Sequence, residues 1–306
     1  MTTGDPLGQP SVPGYPSLVD PDPTTAPVLL TGGCGDLGTV LALSMGERAR
    51  LLDPRPPQAP AGRWIRGSVL DGPALDAAMV GVSAVVHIAA WHGVHLARGW
   101  KDAEAFHELN VTGTFRVLEA ARRAGARVIF LSSTSVEDRF GVYGHTKVVG
   151  EEMVRAWRAR GLEAITLRPR AFIPHWNREV YNDYIEWARW FWKGAVHIDD
   201  VAQAVLLALS GPRDHPEPLV LDGAYEYTEA DLADWGGEAT FARVYPGHLD
   251  RVRRLGLDPA RAPRRLDIEP ARRVLGYAPR FSLGSLLGEL ARHGAAGPPP
   301  PWGGDG

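Results

Sequence analysis

Tyr143 and Lys147 stand four residues apart in the segment VYGHTKVVGEE, a spacing that places two side chains one turn apart on a helix. A tyrosine with a pKa of about 10 is a poor base at neutral pH, and lowering that pKa to about 7 takes roughly 4 kcal/mol of preferential stabilisation of the phenolate. A neighbouring lysine ammonium supplies stabilisation of this kind. The pair is therefore a candidate for proton transfer with a substrate hydroxyl, although the same spacing also arises by chance on ordinary helices.

A glycine-rich loop, TGGCGDLG, follows the first apolar run of the chain and opens the first helical pattern. Glycines between a strand and a helix allow a tight turn, close approach of the backbone to a pyrophosphate, and close packing of the helix on the strand. The phosphates then meet the free N–H groups at the start of the helix. Two registers satisfy this pattern, Gly32-x-x-Gly35-x-x-Gly38 and Gly33-x-Gly35-x-x-Gly38, and a purely structural turn is the competing interpretation.

Asp53 ends the second apolar run, where the carboxylate of a dinucleotide-binding protein accepts hydrogen bonds from the adenosine ribose. Together with the glycine-rich loop, this acid makes dinucleotide binding the favoured interpretation. Its charge repels the 2′-phosphate of NADP, and the loop contains no arginine that offsets this repulsion. The sequence therefore predicts NAD as the cofactor, and Arg55 is the one nearby residue that favours NADP.

The composition limits the classes of function. The chain has 306 residues, of which 44% are apolar, enough for one large domain or for a domain with a smaller lobe. Its net charge of −3 gives no positive field for nucleic acid or for an anionic membrane. The single cysteine, Cys34, rules out an internal disulfide, and no apolar run approaches a membrane span in length. We therefore expect a soluble, cytoplasmic protein that binds neither nucleic acid nor membrane.

Apolar runs typical of strands alternate with helical patterns of ten or more residues between Pro27 and Asp222. This alternation predicts an α/β fold, a Rossmann-like doubly wound parallel sheet, with a small C-terminal substrate lobe over its carboxyl edge. The predicted parts are a flexible tail at 1–26, an NAD-binding domain at 27–173, a short aromatic insert of the substrate lobe at 174–195, the last helix and strand of the Rossmann domain at 196–222, the small lobe at 223–293, and a flexible tail at 294–306. Both tails are rich in proline and glycine and bury too little apolar area to offset their ordering entropy.

Short segments in a fixed order resemble the extended short-chain dehydrogenase/reductase family, in its NAD-dependent epimerase/dehydratase group. They are the loop TGGCGDLG, VVHIAA at 85–90, Asn110 in NVTGT, FLSSTSV at 130–136, the pair Tyr143 and Lys147, LRPRAFIP at 167–174, VHIDDVA at 196–202 and LDIEPARRVLGYAPRFSL at 266–283. The resemblance extends from about Pro27 to about Gly294.

The resemblance implies four catalytic residues. Tyr143 is the acid/base, and Lys147 stabilises its phenolate and binds the nicotinamide ribose. Ser133 hydrogen-bonds the reacting hydroxyl or carbonyl, with Thr134 as the alternative if the register differs by one. Asn110 supports the neighbouring helix and a water of the proton relay. The implied cofactor-binding residues are Gly32, Gly35, Asp36, Leu37, Gly38, Asp53, Ser68, Val69, Ala89 and Ala90, together with Tyr143 and Lys147.

Three departures from the family pattern narrow the expected activity. Ser68 stands where relatives often carry an acid that contacts adenine. Thr134 and Ser135 stand where the 4,6-dehydratases of the family carry an Asp-Glu pair, which disfavours dehydration. The insert after Pro174 has only 21 residues before Val196, a short wall for binding a nucleoside diphosphate. A smaller substrate is therefore favoured, such as a sugar, a sugar phosphate, a sugar acid or a cyclitol.

The candidate substrate contacts follow the fourth strand, the serine, or the segment expected to pass the nicotinamide. They are Trp91, His92, Thr134, Arg170, His175, Asn177 and Arg178, and a solvated loop is an equal alternative for the last three. The seven aromatic residues of the insert fit packing of a small lobe better than stacking on a sugar. His87, His92 and His95 lack a carboxylate at ligand spacing, so we predict no metal site.

The sequence thus predicts an NAD-dependent oxidoreductase or epimerase that moves a hydride at a secondary alcohol carbon of a small, sugar-like substrate. A nucleotide-sugar epimerase with tightly retained NAD is one alternative. A non-catalytic NAD-binding sensor or scaffold is another, and the presence of Ser133, Tyr143 and Lys147 argues against it. By analogy with the family, the apolar faces of the helices at 101–124 and 143–160 predict a homodimer.

Overall fold

The computed structural model describes residues 26–302, so the tail predicted at 1–26 lies outside this range except for its last residue. The strands are β1 (Val28–Thr31), β2 (Ala49–Asp53), β3 (Arg63–Arg66), β4 (Ala84–His87), β5 (Arg127–Leu131), β6 (Ala164–Pro169) and β7 (Leu219–Leu221). The α-helices are α1 (Asp36–Met45), α2 (Gly72–Met79), α3 (Gly93–Ala97), α4 (Ala103–Phe106), α5 (Thr114–Ala124), α6 (Val142–Arg158), α7 (Tyr184–Phe191), α8 (Ile198–Ser210), α9 (Glu229–Ala233), α10 (Glu238–Val244), α11 (Leu249–Arg254), α12 (Glu269–Leu275) and α13 (Leu283–His293). None of the helices in this range has the length and apolar character of a membrane span.

The strands form one parallel sheet in the order β3-β2-β1-β4-β5-β6-β7. The order reverses at β1, because β2 and β3 lie on one side of it and β4 lies on the other. Leu30 of β1 accordingly stands opposite Leu51 of β2 and Val86 of β4. In open α/β sheets, ligands bind at the carboxyl ends of the strands where the order reverses. The loops after β1 and β4 are therefore the expected position of the site.

The strand residues alternate between two hydrophobic clusters on the two faces of the sheet. Leu30 packs with apolar residues of α1 and α8, whereas its neighbour Leu29 packs with those of α2, α5 and α6. Each fully buried leucine stabilises the fold by about 1.5–3 kcal/mol relative to its exposed state. Helices cover both faces, which explains why the strands are almost continuously apolar. The predicted Rossmann-like, doubly wound fold is confirmed.

A third hydrophobic cluster forms a small lobe from two separate parts of the chain. It combines Trp187 and Phe191 of α7 with Phe241 of α10 and Leu287 of α13. Trp187 is 1% exposed, and its indole N–H donates to the carbonyl of Ile173 at 2.9 Å. Several rings of the insert are thus the core of this lobe.

The helix expected over 101–124 is not uniform. A wider π-helical turn at His107–Gly113 separates α4 from α5. In this turn the hydroxyl of Thr114 donates to the carbonyl of Asn110 at 2.6 Å. Turns of this kind inside helices often occur at functional sites, and this one carries Asn110.

The tail predicted at 294–306 is not free in its described part, residues 294–302. The amide of Tyr184 donates to the carbonyl of Ala295 at 3.1 Å, and a Cβ on Gly297 would lie 2.5 Å from Cδ2 of Tyr184. The ring of Trp302 meets the ring of Trp176 edge-on, with centroids 5.6 Å apart. Prolines reduce the entropy lost on ordering, so a few ring contacts are enough to hold the segment on the small lobe.

Candidate active site

A cavity of about 1430 Å³ opens at the carboxyl ends of β1, β2, β4 and β5. The loops after these strands and the first turn of α6 line one side, and residues 170–174 and 176–181 together with α7 line the other. The predicted cofactor and catalytic residues that line it are Gly32, Gly35, Asp36, Leu37, Asp53, Ser68, Val69, Ala89, Ala90, Ser133, Tyr143 and Lys147. The fold therefore brings most of the predicted residues to one place.

Three glycines of the TGGCGDLG segment, Gly32, Gly33 and Gly38, stand where a side chain does not fit. Gly32 has a φ of +67°, its amide donates to the carbonyl of Leu52 at 2.9 Å, and a Cβ there would lie 2.9 Å from the backbone of Ala89. A Cβ on Gly38 would lie 2.4 Å from the carbonyl oxygen of Gly33. Gly38 thus permits α1 to pack against the loop and does not itself line the cavity.

Helix α1 begins with free hydrogen-bond donors. Its N-cap, Gly35, has no side chain, and no other side chain of the described range caps this helix start. Asp36 and Leu37 form the first turn, and both line the cavity. The amides of a first helical turn have no acceptor within the helix, and they attract an anion. The loop therefore fits the pyrophosphate of a dinucleotide.

The Asp53 carboxylate is fixed by the backbone of two loops. Oδ2 accepts from the amide of Cys34 at 3.2 Å, and Oδ1 accepts from the amide of Arg55 at 2.9 Å. Asp53 is 3% exposed, and the Arg55 guanidinium, 64% exposed, lies 3.6 Å from Oδ1. Each carboxylate oxygen has a further lone pair for a ribose hydroxyl. The geometry therefore fits a ribose at the end of β2.

Ser68 and Val69 line the cavity beside Asp53. The Ser68 hydroxyl accepts from the amide of Leu70 at 3.2 Å, which leaves its proton for a ligand. Val69 is buried against Gly113, where a Cβ would lie 2.8 Å from Cγ2 of the valine. Both residues can flank an adenine without an acidic group.

The first two turns of α6 hold the proton-transfer pair at the end of β5. The Lys147 ammonium donates to the carbonyl of Leu131 at 2.7 Å and lies 5.9 Å from the centroid of the Tyr143 ring. The Ser133 oxygen accepts from the amide of Ser135 at 3.0 Å and is hydrogen-bonded to Tyr143. Tyr143, Ser133 and Lys147 thus form one hydrogen-bonded and electrostatic group.

Burial has opposite effects on the two ionisable members of this group. It raises the pKa of Tyr143 to about 12, against the hydrogen bond from Ser133, which lowers it. It lowers the pKa of Lys147 to about 8, against the attraction of Glu151, which raises it. Desolvation disfavours both charged forms, so the phenolate requires further positive charge at the site before it acts as a base at neutral pH.

An ion pair behind the catalytic group was not predicted from the sequence. Glu151 is 4% exposed, and its carboxylate accepts from the hydroxyl of Ser132 at 2.5 Å and from Nε of Arg168 at 2.7 Å. These bonds fix the end of β5 that carries Ser133. The signal was present, because Glu151 follows Lys147 by four residues on the same helix face.

Asn110 is a positioning residue and does not line the cavity. Its side-chain oxygen accepts from the amide of Trp91 at 2.8 Å, and its amide donates to the carbonyl of Trp91 at 2.8 Å and to the hydroxyl of Thr146 at 3.0 Å. It thereby joins the loop after β4 to α6. The predicted support of the helix matches this position, whereas a direct catalytic contact does not.

The predicted substrate contacts are only partly at the cavity. Trp91 and His92 line it, but Thr134 does not, and Ser135 takes the place beside Ser133. Arg170 lines the cavity, but its guanidinium is paired with the buried Asp222 at 3.2 Å. Its charge is therefore already compensated within the protein.

The three polar residues after Pro174 have three different environments. His175 is 4% exposed and turned away from the cavity, with Nε2 2.9 Å from the carbonyl of Pro298. Asn177 lines the cavity and donates to Oδ2 of Asp36 at 2.8 Å. Arg178 lines the cavity from an exposed position. His175 therefore lies outside the cavity lining, because residues distant in sequence enclose its ring.

The histidines have no metal-binding arrangement. His87 is 2% exposed, with its ring nitrogens 2.8 Å and 2.9 Å from the hydroxyls of Thr31 and Thr114. Between residues 26 and 302, no group of three or more His, Cys, Asp or Glu side chains is placed to share a metal ion.

The comparisons with known proteins agree with this fold and site. The sequence pattern of the NAD dependent epimerase/dehydratase family matches residues 28–185, just over half of the chain. A 2-alkyl-3-oxoalkanoate reductase of Stenotrophomonas maltophilia is 31% identical over 170 residues, which are 47% of this chain and 50% of that protein. The chain thus matches about half the length of that relative.

Two further relatives match over a greater length. A dTDP-glucose 4,6-dehydratase of Streptomyces niveus is 26% identical over 317 residues, covering 86% of this chain and 90% of that protein. The crystal structure of a dTDP-glucose 4,6-dehydratase of Streptomyces venezuelae with NAD bound has a TM-score of 0.64 and 23% identity, covering 87% of this chain and 95% of that chain.

The protein belongs to the NAD dependent epimerase/dehydratase family. Its cofactor is NAD. The residues of the cavity fit this cofactor. The loop after β1 leaves room for a pyrophosphate beside the free amides of α1, and the Asp53 carboxylate disfavours the 2′-phosphate of NADP.

Proposed function

We propose that the protein is an NAD-dependent enzyme that oxidises or reduces a secondary alcohol carbon of a small, sugar-like substrate. The observation that carries this proposal is the grouping of Tyr143, Lys147 and Ser133 at one cavity with the glycine-rich loop. Burying an ionisable pair is unfavourable unless the pair is used or well compensated. A sensor or scaffold that only binds NAD has no use for such a pair.

Each member of the group has a separate task in alcohol oxidation. The substrate hydroxyl is held by Ser133 and gives its proton to the Tyr143 phenolate. NAD, when bound, accepts the hydride from the carbon that carries this hydroxyl. The Lys147 ammonium stabilises the phenolate, and its hydrogen bond to the Leu131 carbonyl keeps it beside the tyrosine. In reduction the tyrosine returns the proton to the nascent alkoxide.

Dehydration is not supported by the groups around the serine. The Ser135 hydroxyl lies 3.1 Å from the Ser133 hydroxyl, at the position where dehydratases of the family carry an acid. The nearest acid along the chain, Glu137, is 58% exposed and pairs with Arg264 at 3.0 Å. The chain therefore lacks an acid in that position for expelling a hydroxyl group.

The substrate end of the cavity supports a small substrate. The Arg98 guanidinium, after α3, donates to the carbonyl of Val180 in the insert at 3.1 Å. This bond ties the loop after β4 to the small lobe, which favours a substrate smaller than a nucleotide sugar. A nucleotide-sugar epimerase is the second candidate, and what favours it is the nucleotide-sugar substrate in the name of the matched dTDP-glucose 4,6-dehydratase of Streptomyces niveus.

The test is the purified protein and a panel of substrates. We expect absorbance and mass spectra to show whether NAD is retained, and NADH to form with a small sugar, sugar acid, sugar phosphate or cyclitol. Conversion of a nucleotide sugar without net NADH would support the epimerase instead. If the unaltered protein and Tyr143→Phe both bind NAD but convert neither the small substrates nor the nucleotide sugars, the sensor is supported.

We also propose a homodimer formed through the outward faces of α5 and α6. Phe115 on α5 is 48% exposed, and its ring meets that of Trp157 on α6 edge-on at 5.2 Å. An exposed aromatic side chain beside a second helix is typical of a surface that binds another copy. Light scattering of the unaltered protein is expected to give twice the chain mass of 33.2 kDa. The Phe115→Arg variant is expected to give the mass of a single chain. A monomer in the unaltered protein contradicts the proposal.

A further inference from the structure

The insert makes a direct side-chain contact with the cofactor loop. The amide of Asn177 donates to Oδ2 of Asp36 at 2.8 Å, and both residues line the cavity. Asp36 is the first residue of α1, so this bond joins the small lobe to the helix start that fits the pyrophosphate. Opening the cavity at this point requires that the bond break.

The contact also answers an electrostatic problem. An unpaired carboxylate in the first turn of α1 would repel a bound pyrophosphate. Burial raises the pKa of Asp36, and hydrogen bonds from Asn177 and Gln58 oppose this rise. Gln58 also donates to the carbonyl of Cys34 at 3.3 Å. Two neutral amide donors therefore disperse the charge of Asp36.

The C-terminal segment holds the residues that precede Asn177. The carbonyl of Pro298 lies 2.9 Å from Nε2 of His175, and the ring of Trp302 contacts the ring of Trp176. Residues 294–302 thus fix His175 and Trp176 from behind, and through them the backbone at Asn177. This segment is far from the cofactor loop in sequence and is connected to it by three consecutive side chains.

Four buried polar side-chain atoms of the insert have no partner within the described chain: Nδ1 of His175, Nε1 of Trp176, Oδ1 of Asn177 and the hydroxyl of Tyr181. Those of the neighbouring Trp176 and Asn177 belong to residues that line the cavity. Buried polar atoms are nearly always hydrogen-bonded, so this donor and this acceptor indicate a ligand that accepts and donates at the same place. The hydroxyl and amide groups of NAD do both.

We propose that Asn177 is a cofactor-retaining residue, whose bond to Asp36 holds the insert closed over bound NAD and whose position depends on the C-terminal segment. The proposal rests on the cofactor site described above. It places the control of NAD release in the small lobe, and release is the step that separates a dehydrogenase from an enzyme that retains its cofactor.

The test is the dissociation rate of NAD, measured by stopped-flow tryptophan fluorescence, with the dissociation constant from calorimetry. Asn177→Ala is expected to raise the dissociation rate about tenfold, the loss of one hydrogen bond to a charged group, with little change in the association rate. Asn177→Asp, which keeps the size but sets a second carboxylate against Asp36, should raise it further. Trp302→Ala should also raise the NAD dissociation rate, by a smaller factor than Asn177→Ala.

Asn182→Ala is the matched control. This asparagine belongs to the same insert, does not line the cavity and donates to Glu186 at 2.9 Å, so its loss should leave NAD dissociation unchanged. Circular dichroism verifies that each variant is folded. The proposal would be overturned if Asn177→Ala and Asn177→Asp released NAD at the same rate as Asn182→Ala. Failure of the unaltered protein to bind NAD would instead contradict the cofactor site, and a fully active Tyr143→Phe would contradict the proposed chemistry.

Discussion

The two sides of the cavity differ in how their polar groups are held. On the sheet side, Asp53 is fixed by the amides of Cys34 and Arg55, and Lys147 by the carbonyl of Leu131. On the insert side, within the described residues, three buried polar atoms have no partner: Nε1 of Trp176, Oδ1 of Asn177 and the hydroxyl of Tyr181. The catalytic and ribose-binding side chains of the sheet side are oriented without a ligand, whereas these atoms of the insert side are left without partners.

This difference assigns separate tasks to the two sides. Groups that are already oriented need no reorganisation when charge develops, which is the requirement for proton transfer. Buried polar atoms without partners cost stability, about 1–3 kcal/mol each, and a ligand that pairs with them recovers that free energy as binding. The sheet side therefore supports turnover, and the insert side supports affinity and specificity.

Tyr143→Phe tests the sheet side with the largest expected effect. The change removes one hydroxyl and leaves the ring, so NAD affinity should remain nearly unchanged while turnover falls about 10²–10⁴-fold. Ser133→Ala should also act on turnover, with little effect on NAD affinity. Steady-state kinetics and calorimetry measure the two quantities. A Tyr143→Phe enzyme that keeps most of its activity contradicts the mechanism.

The same difference explains what the sequence can predict. Tyr143 and Lys147 share one helical turn, and Asp53 and the glycines lie directly at strand ends, so local patterns are enough to place them. His175 was a candidate substrate contact, but Pro298 binds its ring from 123 positions away. Arg170 was a candidate for an anion, but the buried Asp222 pairs with it. No local pattern indicates such distant partners.

The C-terminal segment shows the same limit. Its composition, four prolines among glycines, predicts a free tail. Prolines lose little conformational entropy when they are ordered, but this property does not predict where the segment binds. The contacts that fix it are made by Gly297 with Tyr184 and by Trp302 with Trp176. These surfaces exist only after the small lobe has folded.

Lys147→Met tests whether the sheet side works as a pair. Burial raises the pKa of Tyr143 to about 12 in the protein without cofactor, and loss of the ammonium removes a positive charge that, together with bound NAD, lowers this pKa for catalysis. Below that pKa the phenolate fraction rises with pH, so alcohol oxidation by the variant should increase about tenfold per unit between pH 7 and 9. The unaltered enzyme should be faster at pH 7 and depend less on pH. Equal pH profiles for both enzymes would show that the lysine does not act through the tyrosine.

Asp53→Ala tests cofactor choice on the sheet side. The change removes the acid that fits the ribose and lifts the repulsion of a 2′-phosphate, so the preference for NAD over NADP should fall about tenfold or more. Calorimetry with both cofactors gives the ratio. Arg55→Ala is the opposite comparison, because it removes the one nearby cation that favours NADP while its amide still donates to Asp53, so the preference for NAD should not fall. Tighter binding of NADP by the unaltered protein would overturn this assignment.

Tyr181→Phe tests the insert side. Of the substitutions discussed, it should change the stability of the protein without ligand the least. Tyr181 lines the cavity, and its buried hydroxyl has no partner in the described chain, so removal of this hydroxyl should leave the free energy of unfolding unchanged or raise it by about 1 kcal/mol. If substrate supplies the missing partner, KM should rise about tenfold while kcat changes little.

Tyr184→Phe provides the contrast for this measurement. Tyr184 is 1% exposed, lies outside the cavity lining and donates its hydroxyl to Glu289, so its loss should lower the free energy of unfolding by about 1 kcal/mol and leave KM unchanged. Denaturant unfolding and steady-state kinetics on the two variants should therefore give opposite patterns. If Tyr181→Phe lowers stability as Tyr184→Phe does and leaves KM unchanged, the insert side is a packed wall, and the division of tasks between the two sides fails.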